Sequence, residues 1–168
     1  ARKETKVSSV WTALLLAAQK GHTPIVDELL KGGKQEMIDA QNKDGWTALS
    51  FAAQVGNKES VHLLLDANAN TETKNINGYT PLMLAAQHGY PESVHLLLKA
   101  GAKTDTRGSN GYNALMLAAQ TGQAETVQLL LDAGANKNAE RTELSFAAQR
   151  GDTSALQKLL DENANIEA

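Results

Sequence analysis

The sequence predicts an all-α repeat solenoid, in which short helix pairs stack in chain order and hairpin fingers project between them. The first observation is a short sequence motif that recurs five times. Each copy contains a pair of alanines, and these pairs begin at Ala17, Ala52, Ala85, Ala118 and Ala147. Successive spacings are 35, 33, 33 and 29 residues. The second observation is that leucines recur at helical spacing on both sides of each pair. A period of this length is typical of units that bury their apolar surface only against neighbouring units.

The composition agrees with one domain of this kind. The 168 residues are 42% hydrophobic and 4% aromatic, so alanine and leucine must build the core. Sixteen basic and nineteen acidic residues leave a net charge of -3, which is too mild to favour nucleic acid or an anionic membrane. We therefore expect neither nucleic acid nor a membrane as a partner.

The lack of cysteine excludes disulfides, thiolate catalysis and cysteine-based zinc sites, and leaves the compartment open. No stretch approaches the roughly 20 apolar residues of a membrane span, and no signal peptide is recognisable. The chain begins at Ala1 rather than at Met, as either a processed mature protein or a trimmed piece of a longer chain would. We expect a soluble protein. Its compartment is not determined by the sequence, and we slightly favour a secreted or periplasmic protein.

The first helix of each repeat carries the alanine pair, and a leucine three residues earlier shares its face. A residue able to cap the helix N-terminus precedes that leucine. The predicted caps are Thr12, Thr47, Thr80, Asn113 and Thr142. A glycine that can adopt the left-handed backbone of a tight turn follows the helix. These glycines are Gly21, Gly56, Gly89, Gly122 and Gly151.

The second helix of each repeat has a valine or leucine eight residues after the alanine pair and a leucine pair three and four residues later. This spacing puts them on one stripe of the helix. Asn57 and Asp152 are predicted caps, and Pro91 suits a first helical position. Left-handed helix ends are predicted where only glycine or asparagine occurs, at Gly33, Asn68, Gly101, Gly134 and Asn163.

The junctions between repeats carry turn signals at Asp44-Gly45, Asn77-Gly78 and Asn110-Gly111, which predict three short projecting β-hairpin fingers. The fourth junction, 135–141, is shorter and lacks such a dipeptide, so we expect no full finger there. We divide the chain into an N-terminal capping segment, residues 1–10, and a repeat domain, residues 11–168. The repeats are predicted at about 11–42, 43–75, 76–108, 109–138 and 139–168.

This combination resembles the ankyrin repeat family. The closest match to the family's first-helix pattern is NGYTPLMLAAQHG, residues 77–89, and its second-helix pattern matches residues 94–102 and 127–135. The sequence departs at the family's histidine, which is replaced by Leu15, Ser50, Met83, Met116 and Ser145. The resemblance implies a scaffold without chemistry of its own that binds proteins through a concave face of fingers and first helices.

Residues for catalysis or metal binding are not found at workable spacing. His62 and His95 occupy the same repeat position, which gives a metal site as one interpretation. The simpler interpretation is that both face solvent opposite the leucine pair. We therefore predict no enzyme activity, no metal and no cofactor, and keep an enzyme or metal-binding protein as the distant alternative.

A column of aromatic residues marks the candidate binding surface. Trp11, Trp46, Tyr79 and Tyr112 each stand one residue before a predicted cap, at the root of a finger. Aromatic anchors dominate the energy of many interfaces, although each ring could instead only pack over the next finger. A parallel glutamine column, at residues 19, 54, 87, 120 and 149, is expected to bridge repeats. The predicted protein-binding residues are Trp11, Lys43, Asp44, Trp46, Phe51, Ile76, Tyr79, His88 and Tyr112.

The sequence therefore predicts a monomeric array that binds a protein of unknown identity through its concave face. A compact array suggests that binding masks or inhibits the partner, for example an enzyme. The alternative is a recognition module of a larger multidomain or effector protein.

Overall fold

The computed structural model describes residues 2–134, with side chains described from residue 11 onwards, and confirms the predicted solenoid in that range. The fifth predicted repeat, with its caps at Thr142 and Asp152, and the fourth junction lie outside the described residues. The described helices are α1 Arg2–Lys20, α2 Thr23–Lys31, α3 Gln35–Ile38, α4 Ala48–Val55, α5 Lys58–Asp66, α6 Pro81–His88, α7 Pro91–Lys99, α8 Ala114–Gln120 and α9 Ala124–Asp132.

The helices form two layers. The inner layer is α1, α4, α6 and α8, in which each helix packs against the next, and the outer layer is α2, α5, α7 and α9. The alanine pairs lie between inner helices, and Ala52, Ala53, Ala85 and Ala86 are fully buried. Their small size lets neighbouring backbones approach closely. The alanine repeat in the sequence is therefore a packing requirement.

The apolar stripe of the outer helices closes the core against the inner layer. Its valine and its buried leucine are 0% exposed in three successive repeats, at Val61, Leu64, Val94, Leu97, Val127 and Leu130. Burying one such side chain stabilises the fold by roughly 1.5 to 3 kcal/mol. Each repeat contributes similar pairs, so stability is distributed along the stack.

The predicted helix caps are present in the second, third and fourth repeats. The side-chain oxygens of Thr47, Thr80 and Asn113 accept hydrogen bonds from backbone N–H groups three residues later, at 3.1, 3.4 and 2.8 Å. Gly56 and Gly89 end α4 and α6 in the predicted left-handed conformation, with φ of 74° and 73°. A side chain there would also be blocked, because a Cβ on Gly56 would lie 2.5 Å from the Tyr90 ring.

The first repeat differs from the prediction at its start. α1 runs without a break from Arg2 to Lys20, so Thr12 lies inside a helix and its prediction as an N-cap is wrong. Residues 1–10 contain neither glycine nor proline, and nothing in them stops the helix from extending. The predicted boundary at residue 10 falls within α1. A capping role for residues 1–10 stays a prediction.

The first junction also differs. Asn68, Gly101 and Gly134 have the predicted left-handed backbone, with φ of 61°, 89° and 84°. The same prediction for Gly33 is wrong, since its φ is not positive and α2 ends at Gly32 with φ of -110°. The chain instead continues into the single turn of α3, which no other described junction contains.

Polar contacts join the first turns of the outer helices. Asn57 caps α5 by accepting from the Ser60 N–H (3.1 Å), while its amide donates to the Gly21 carbonyl (3.1 Å) and to the Thr23 hydroxyl (2.9 Å). The Ser60 hydroxyl also lies 3.2 Å from the Thr23 hydroxyl. At the next interface Lys58 occupies the position of Thr23. The equivalent hydroxyl of Ser93 is buried and has no hydrogen-bond partner among the described residues.

Candidate protein-binding face

Three loops, residues 41–46, 74–79 and 107–112, form the fingers between helix pairs. One N–H across each loop donates to a carbonyl on the other side: Asn42 to Trp46 (3.0 Å), Asn75 to Tyr79 (3.1 Å) and Gly108 to Tyr112 (2.9 Å). A second backbone bond closes the turn in each loop, from the fingertip glycine N–H to the carbonyl of residue 42, 75 or 108 (3.0, 2.8 and 2.9 Å). These two bonds do not make a ladder, and residues 2–134 contain no strand. The prediction of β-hairpins is therefore wrong for these loops, although each does reverse the chain direction.

The turn at each fingertip also differs from the predicted two-residue type. Gly45, Gly78 and Gly111 have positive φ of 79°, 77° and 81°, whereas the preceding Asp44, Asn77 and Asn110 do not. A two-residue hairpin turn of the common type needs positive φ at both residues. Each tip is instead a turn closed by a single left-handed glycine.

The three fingers touch one another in a continuous row. The Ile76 N–H donates to the Asp44 carbonyl (2.8 Å), and the Ser109 N–H donates to the Asn77 carbonyl (3.1 Å). A Cβ on Gly45 would lie 2.9 Å from the Asn75 Cα, so only glycine permits this approach. The fingertips therefore have fixed positions relative to one another.

Asparagine side chains hold two of the aromatic residues at the finger roots. The carboxamide oxygens of Asn42 and Asn75 accept from the N–H groups of Trp46 (2.9 Å) and Tyr79 (3.0 Å). Gly108 takes the asparagine's place in the third finger. A Cβ there would lie 2.8 Å from the Tyr79 ring, so the glycine gives the ring room.

The aromatic residues at the finger roots are partly buried against the core and partly exposed to solvent. Trp46, Tyr79 and Tyr112 pack against the hydrophobic core and stay partly exposed. Trp46 also stacks on Phe51, with ring centroids 4.8 Å apart and planes 17° apart. The Tyr79 hydroxyl accepts from the Asn110 amide (2.9 Å), which joins the second finger to the third. The Tyr79 ring therefore braces two fingers, and all three rings pack on the core and present their remaining surface to solvent.

Two predicted site residues are placed differently from expectation. Trp11 lies in the middle of α1 and packs against the core, so its predicted position at a finger root is wrong. Residues 1–10 contain no turn dipeptide of the kind found at the three fingers. Phe51 is only 8% exposed because it lies in the core beside Trp46. Its part in binding stays a prediction.

The remaining predicted site residues are exposed. Lys43 and Asp44 are exposed at the first fingertip, and Ile76 is 68% exposed at the second. His88 is exposed at the end of α6, where its ring meets the edge of Tyr90 at 6.4 Å. The equivalent residue of α4, Val55, is 40% exposed and was not among the predicted site residues. Its shared repeat position with His88 is the signal that identifies it.

The inner layer carries little charge on this face. Helices α4, α6 and α8 contain no aspartate, glutamate, lysine or arginine. In the same layer, α1 carries an exposed Lys20 at the repeat position of Val55 and His88. On the fingers, Lys74 donates to the Arg107 carbonyl (3.4 Å) and Arg107 donates to the Gly111 carbonyl (2.7 Å). The candidate face is thus a largely neutral surface with a few basic groups at its finger side.

The glutamine column does not act as predicted. Within residues 2–134 the structure gives no hydrogen bond to the side chains of Gln54 and Gln87, so the predicted bridge between repeats is absent there. Both are partly exposed and can be hydrated instead. Ser50, which replaces the family's histidine, is fully buried and hydrogen-bonds the Thr47 hydroxyl (3.0 Å).

The histidines of the outer layer are not gathered into a metal site. His62 lies 3.3 Å from the Asp66 carboxylate on the same helix. In the part of the chain that the structure describes, no three His, Cys, Asp or Glu residues are grouped closely enough to hold a metal ion. Among the same residues, no helix is both long and apolar enough to cross a membrane.

Comparison with known proteins gives matches along the whole chain. The family model for ankyrin repeats (3 copies) matches residues 2–75, 67–141 and 100–168. The chain is 45% identical over 58 residues to an ankyrin repeat-containing protein, ITN1, of Arabidopsis thaliana, which is 34% of this chain and 10% of that protein.

Two further relatives match shorter shares of their own length. Protein phosphatase 1 regulatory subunit 12A of Mus musculus is 38% identical over 64 residues, which is 38% of this chain and 6% of that protein. Ankyrin repeat, SAM and basic leucine zipper domain-containing protein 1 of Ovis aries is 43% identical over 54 residues, 32% of this chain and 11% of that protein. The chain thus spans about a tenth or less of these relatives.

Proposed function

This chain belongs to the ankyrin repeat family, which generally serves as a non-catalytic interaction module, and we propose that it binds a partner protein through its finger row and inner helices. The contact surface consists of the fingertips, the exposed parts of the three finger-root rings, and the inner-helix residues that follow the glutamine column. Its proposed centre is Trp46, Tyr79 and Tyr112, with Lys43, Ile76 and His88 around them.

The observation that carries the proposal is Ile76. Its side chain is 68% exposed at a fingertip that is fixed by backbone hydrogen bonds to its neighbour. A large apolar side chain held at a rigid, projecting position contributes nothing to the core. Together with partly exposed aromatic rings at the finger roots, it supplies the apolar anchors that protein interfaces favour.

The chemistry of this face indicates the kind of partner surface. Since α4, α6 and α8 have no aspartate, glutamate, lysine or arginine, a strongly charged partner would lose hydration against them without gaining ion pairs. The partner should therefore present apolar and neutral polar groups to the inner helices. Acidic groups fit at the finger side, near Lys43, Lys74 and Arg107.

We further propose that binding masks the partner, for example an enzyme that is thereby inhibited. A rigid face that covers a broad surface can block access without any chemistry. One relative is named as a regulatory subunit of a protein phosphatase, which fits an enzyme partner. The alternative is a recognition module within a larger protein, which fits relatives of which the matched segments make up only 10% and 6%.

The proposal can be tested by site-specific photo-crosslinking, because the chain has no cysteine of its own. A single cysteine replaces Ile76 and carries a benzophenone probe, and the matched control replaces Ile25, which is 50% exposed on α2. A partner captured from extracts should crosslink to the probe at position 76 and not at position 25. Crosslinking at position 25 alone would contradict the proposal. Adding the chain to an enzyme partner then tests inhibition.

A further inference from the structure

The second and third fingers end in the same three residues. Asparagine, glycine and tyrosine occur in that order at residues 77–79 and again at residues 110–112. Asparagine followed by glycine is a dipeptide prone to deamidation, because the glycine has no side chain to keep its nitrogen from the asparagine carboxamide carbon. Since the two sequences are identical, a difference in reactivity between them can come only from the surrounding structure.

The backbone around the two sites is nearly the same. Gly78 and Gly111 have φ of 77° and 81°. Each glycine N–H donates to a carbonyl three residues earlier, that of Asn75 (2.8 Å) or Gly108 (2.9 Å). The asparagine is exposed to solvent at both sites. Backbone conformation and access of water therefore do not distinguish the two sites.

The asparagine side chains do differ. The carboxamide of Asn110 is held at both ends, because its oxygen accepts from the Tyr112 N–H (3.2 Å) and its amide donates to the Tyr79 hydroxyl (2.9 Å). The Asn77 carboxamide makes no hydrogen bond to any residue that the structure describes. Deamidation requires the side chain to turn until its carbonyl carbon meets the glycine nitrogen. Asn77 can turn without losing a bond, whereas Asn110 must give up two.

We propose that Asn77 is a site of spontaneous deamidation in the folded chain and that Asn110 is protected. Hydroxide takes the Gly78 N–H proton, and the nitrogen attacks the Asn77 carboxamide carbon. A new C–N bond forms as the old one breaks, so ammonia leaves and a cyclic imide remains. Water then opens the ring on either side. The net reaction consumes one water, releases one ammonia and involves no redox change.

The two ways of opening the ring have different structural consequences. One gives aspartate, which this turn accepts, because Asp44 holds the same position in the first finger and the Gly45 N–H closes the turn there in the same way (3.0 Å). The other gives isoaspartate, which puts one more carbon into the backbone. That product disturbs the bond from the Ser109 N–H to the Asn77 carbonyl (3.1 Å), which joins the second finger to the third.

Both products also add a negative charge next to Ile76. If the finger row binds the partner as proposed above, deamidation therefore weakens binding. This consequence alone rests on the proposed function. The assignment of the reactive site does not, and its test needs no partner.

The test follows deamidation of the full chain in warm, mildly alkaline buffer over time. Trypsin cleaves after Lys74 and Arg107 and so separates the two sites into peptides 75–99 and 108–137. Mass spectrometry with fragmentation then measures the exchange of NH for O at each asparagine. In the folded chain Asn77 should react about tenfold faster than Asn110, which corresponds to about 1.4 kcal/mol of lost hydrogen bonding. In urea the two sites should react at equal rates.

The matched variant is Tyr79→Phe, which removes the hydroxyl that holds the Asn110 amide. It should speed deamidation of Asn110 about fivefold and leave the rate at Asn77 unchanged. Its melting temperature is measured first, so that unfolding is not mistaken for lost protection.

Three results would overturn the proposal. The first is an equal rate at both asparagines in the folded chain. The second is an unreactive Asn77 in the folded chain over a time in which the unfolded chain converts. The third is a folded Tyr79→Phe variant in which Asn110 reacts as slowly as before, since the hydrogen bonds would then not be the source of protection.

Discussion

Replacing Gly45 by alanine should destabilise the array far more than the same change at Gly111. Both glycines occupy the same fingertip position with nearly the same backbone, φ of 79° and 81°. They differ in their surroundings. A Cβ on Gly45 would lie 2.9 Å from the Asn75 Cα and 3.1 Å from the Lys74 carbonyl oxygen, whereas no atom of the described residues is within 4 Å of a Cβ on Gly111.

The loss of stability caused by Gly45→Ala has two parts, one from the left-handed backbone and one from the contact with the second finger. A left-handed alanine costs roughly 1 to 2 kcal/mol, partly offset by the reduced freedom of the unfolded chain, which leaves about 1 kcal/mol for Gly111→Ala. At Gly45 the obstructing atoms are backbone, so the second finger must move away, and overpacking of this kind adds about 1 to 3 kcal/mol. The movement also strains the bond from Ile76 N–H to the Asp44 carbonyl. Gly45→Ala should therefore cost about 3 kcal/mol in total.

The assay is urea unfolding followed by circular dichroism at the helical band, with the midpoint and slope fitted for each variant. Gly78→Ala is a second test of the same effect, since its Cβ would lie 2.7 Å from the Ser109 nitrogen. Equal destabilisation by Gly45→Ala and Gly111→Ala would refute the idea that contact between fingers requires the glycine. The remaining cost would then come from backbone conformation alone.

Three further predictions concern the stack. Ser60→Ala should lower the free energy of unfolding by about 1 kcal/mol, because it removes the contact with the Thr23 hydroxyl. Ser93→Ala should be neutral or stabilising, because the Ser93 hydroxyl has no partner among the described residues. The unfolding midpoints of the two variants test this difference. Asn57→Ala should lower the free energy of unfolding by about 2 kcal/mol, since it removes the cap of α5 and two hydrogen bonds to the preceding repeat. A loss below about 1 kcal/mol would contradict the conclusion that Asn57 joins the two repeats. Deleting residues 1–10 should lower the melting temperature or promote association, and an unchanged, monomeric truncation would reject their capping role.

Much of the fold could be predicted because its signals are local. Threonine and asparagine caps, left-handed glycines and three-and-four leucine spacing each act within one or two turns of helix. The errors arise where a local signal is absent or insufficient. No residue before Thr12 stops α1, and the extra residues at Gly33 form a helical turn rather than a left-handed end. A glycine turn signal reverses the chain but does not specify how many bonds cross the finger.

The candidate face was harder to predict because exposure depends on the neighbouring repeat. Leu16 and Leu84 occupy the same repeat position, yet Leu16 is 52% exposed and Leu84 is 3% exposed. The sequence also could not show that Trp46 stacks on Phe51, or that Gly108 makes room for the Tyr79 ring. The sequence therefore predicts the column of aromatic rings, but not how much of each ring is buried against the core. Ile76, which the core does not use, is the cleaner probe.

The central claim is that the finger row binds the partner, and the most direct measurement is the dissociation constant of the purified complex for Ile76→Asp. Both this variant and the control, Ile25→Asp, alter exposed isoleucines and should keep the original melting temperature. The account predicts that Ile76→Asp weakens binding about tenfold or more, which is at least 1.4 kcal/mol, while Ile25→Asp changes it less than about twofold. Undiminished affinity of a stable Ile76→Asp variant would contradict the account and place the binding surface elsewhere.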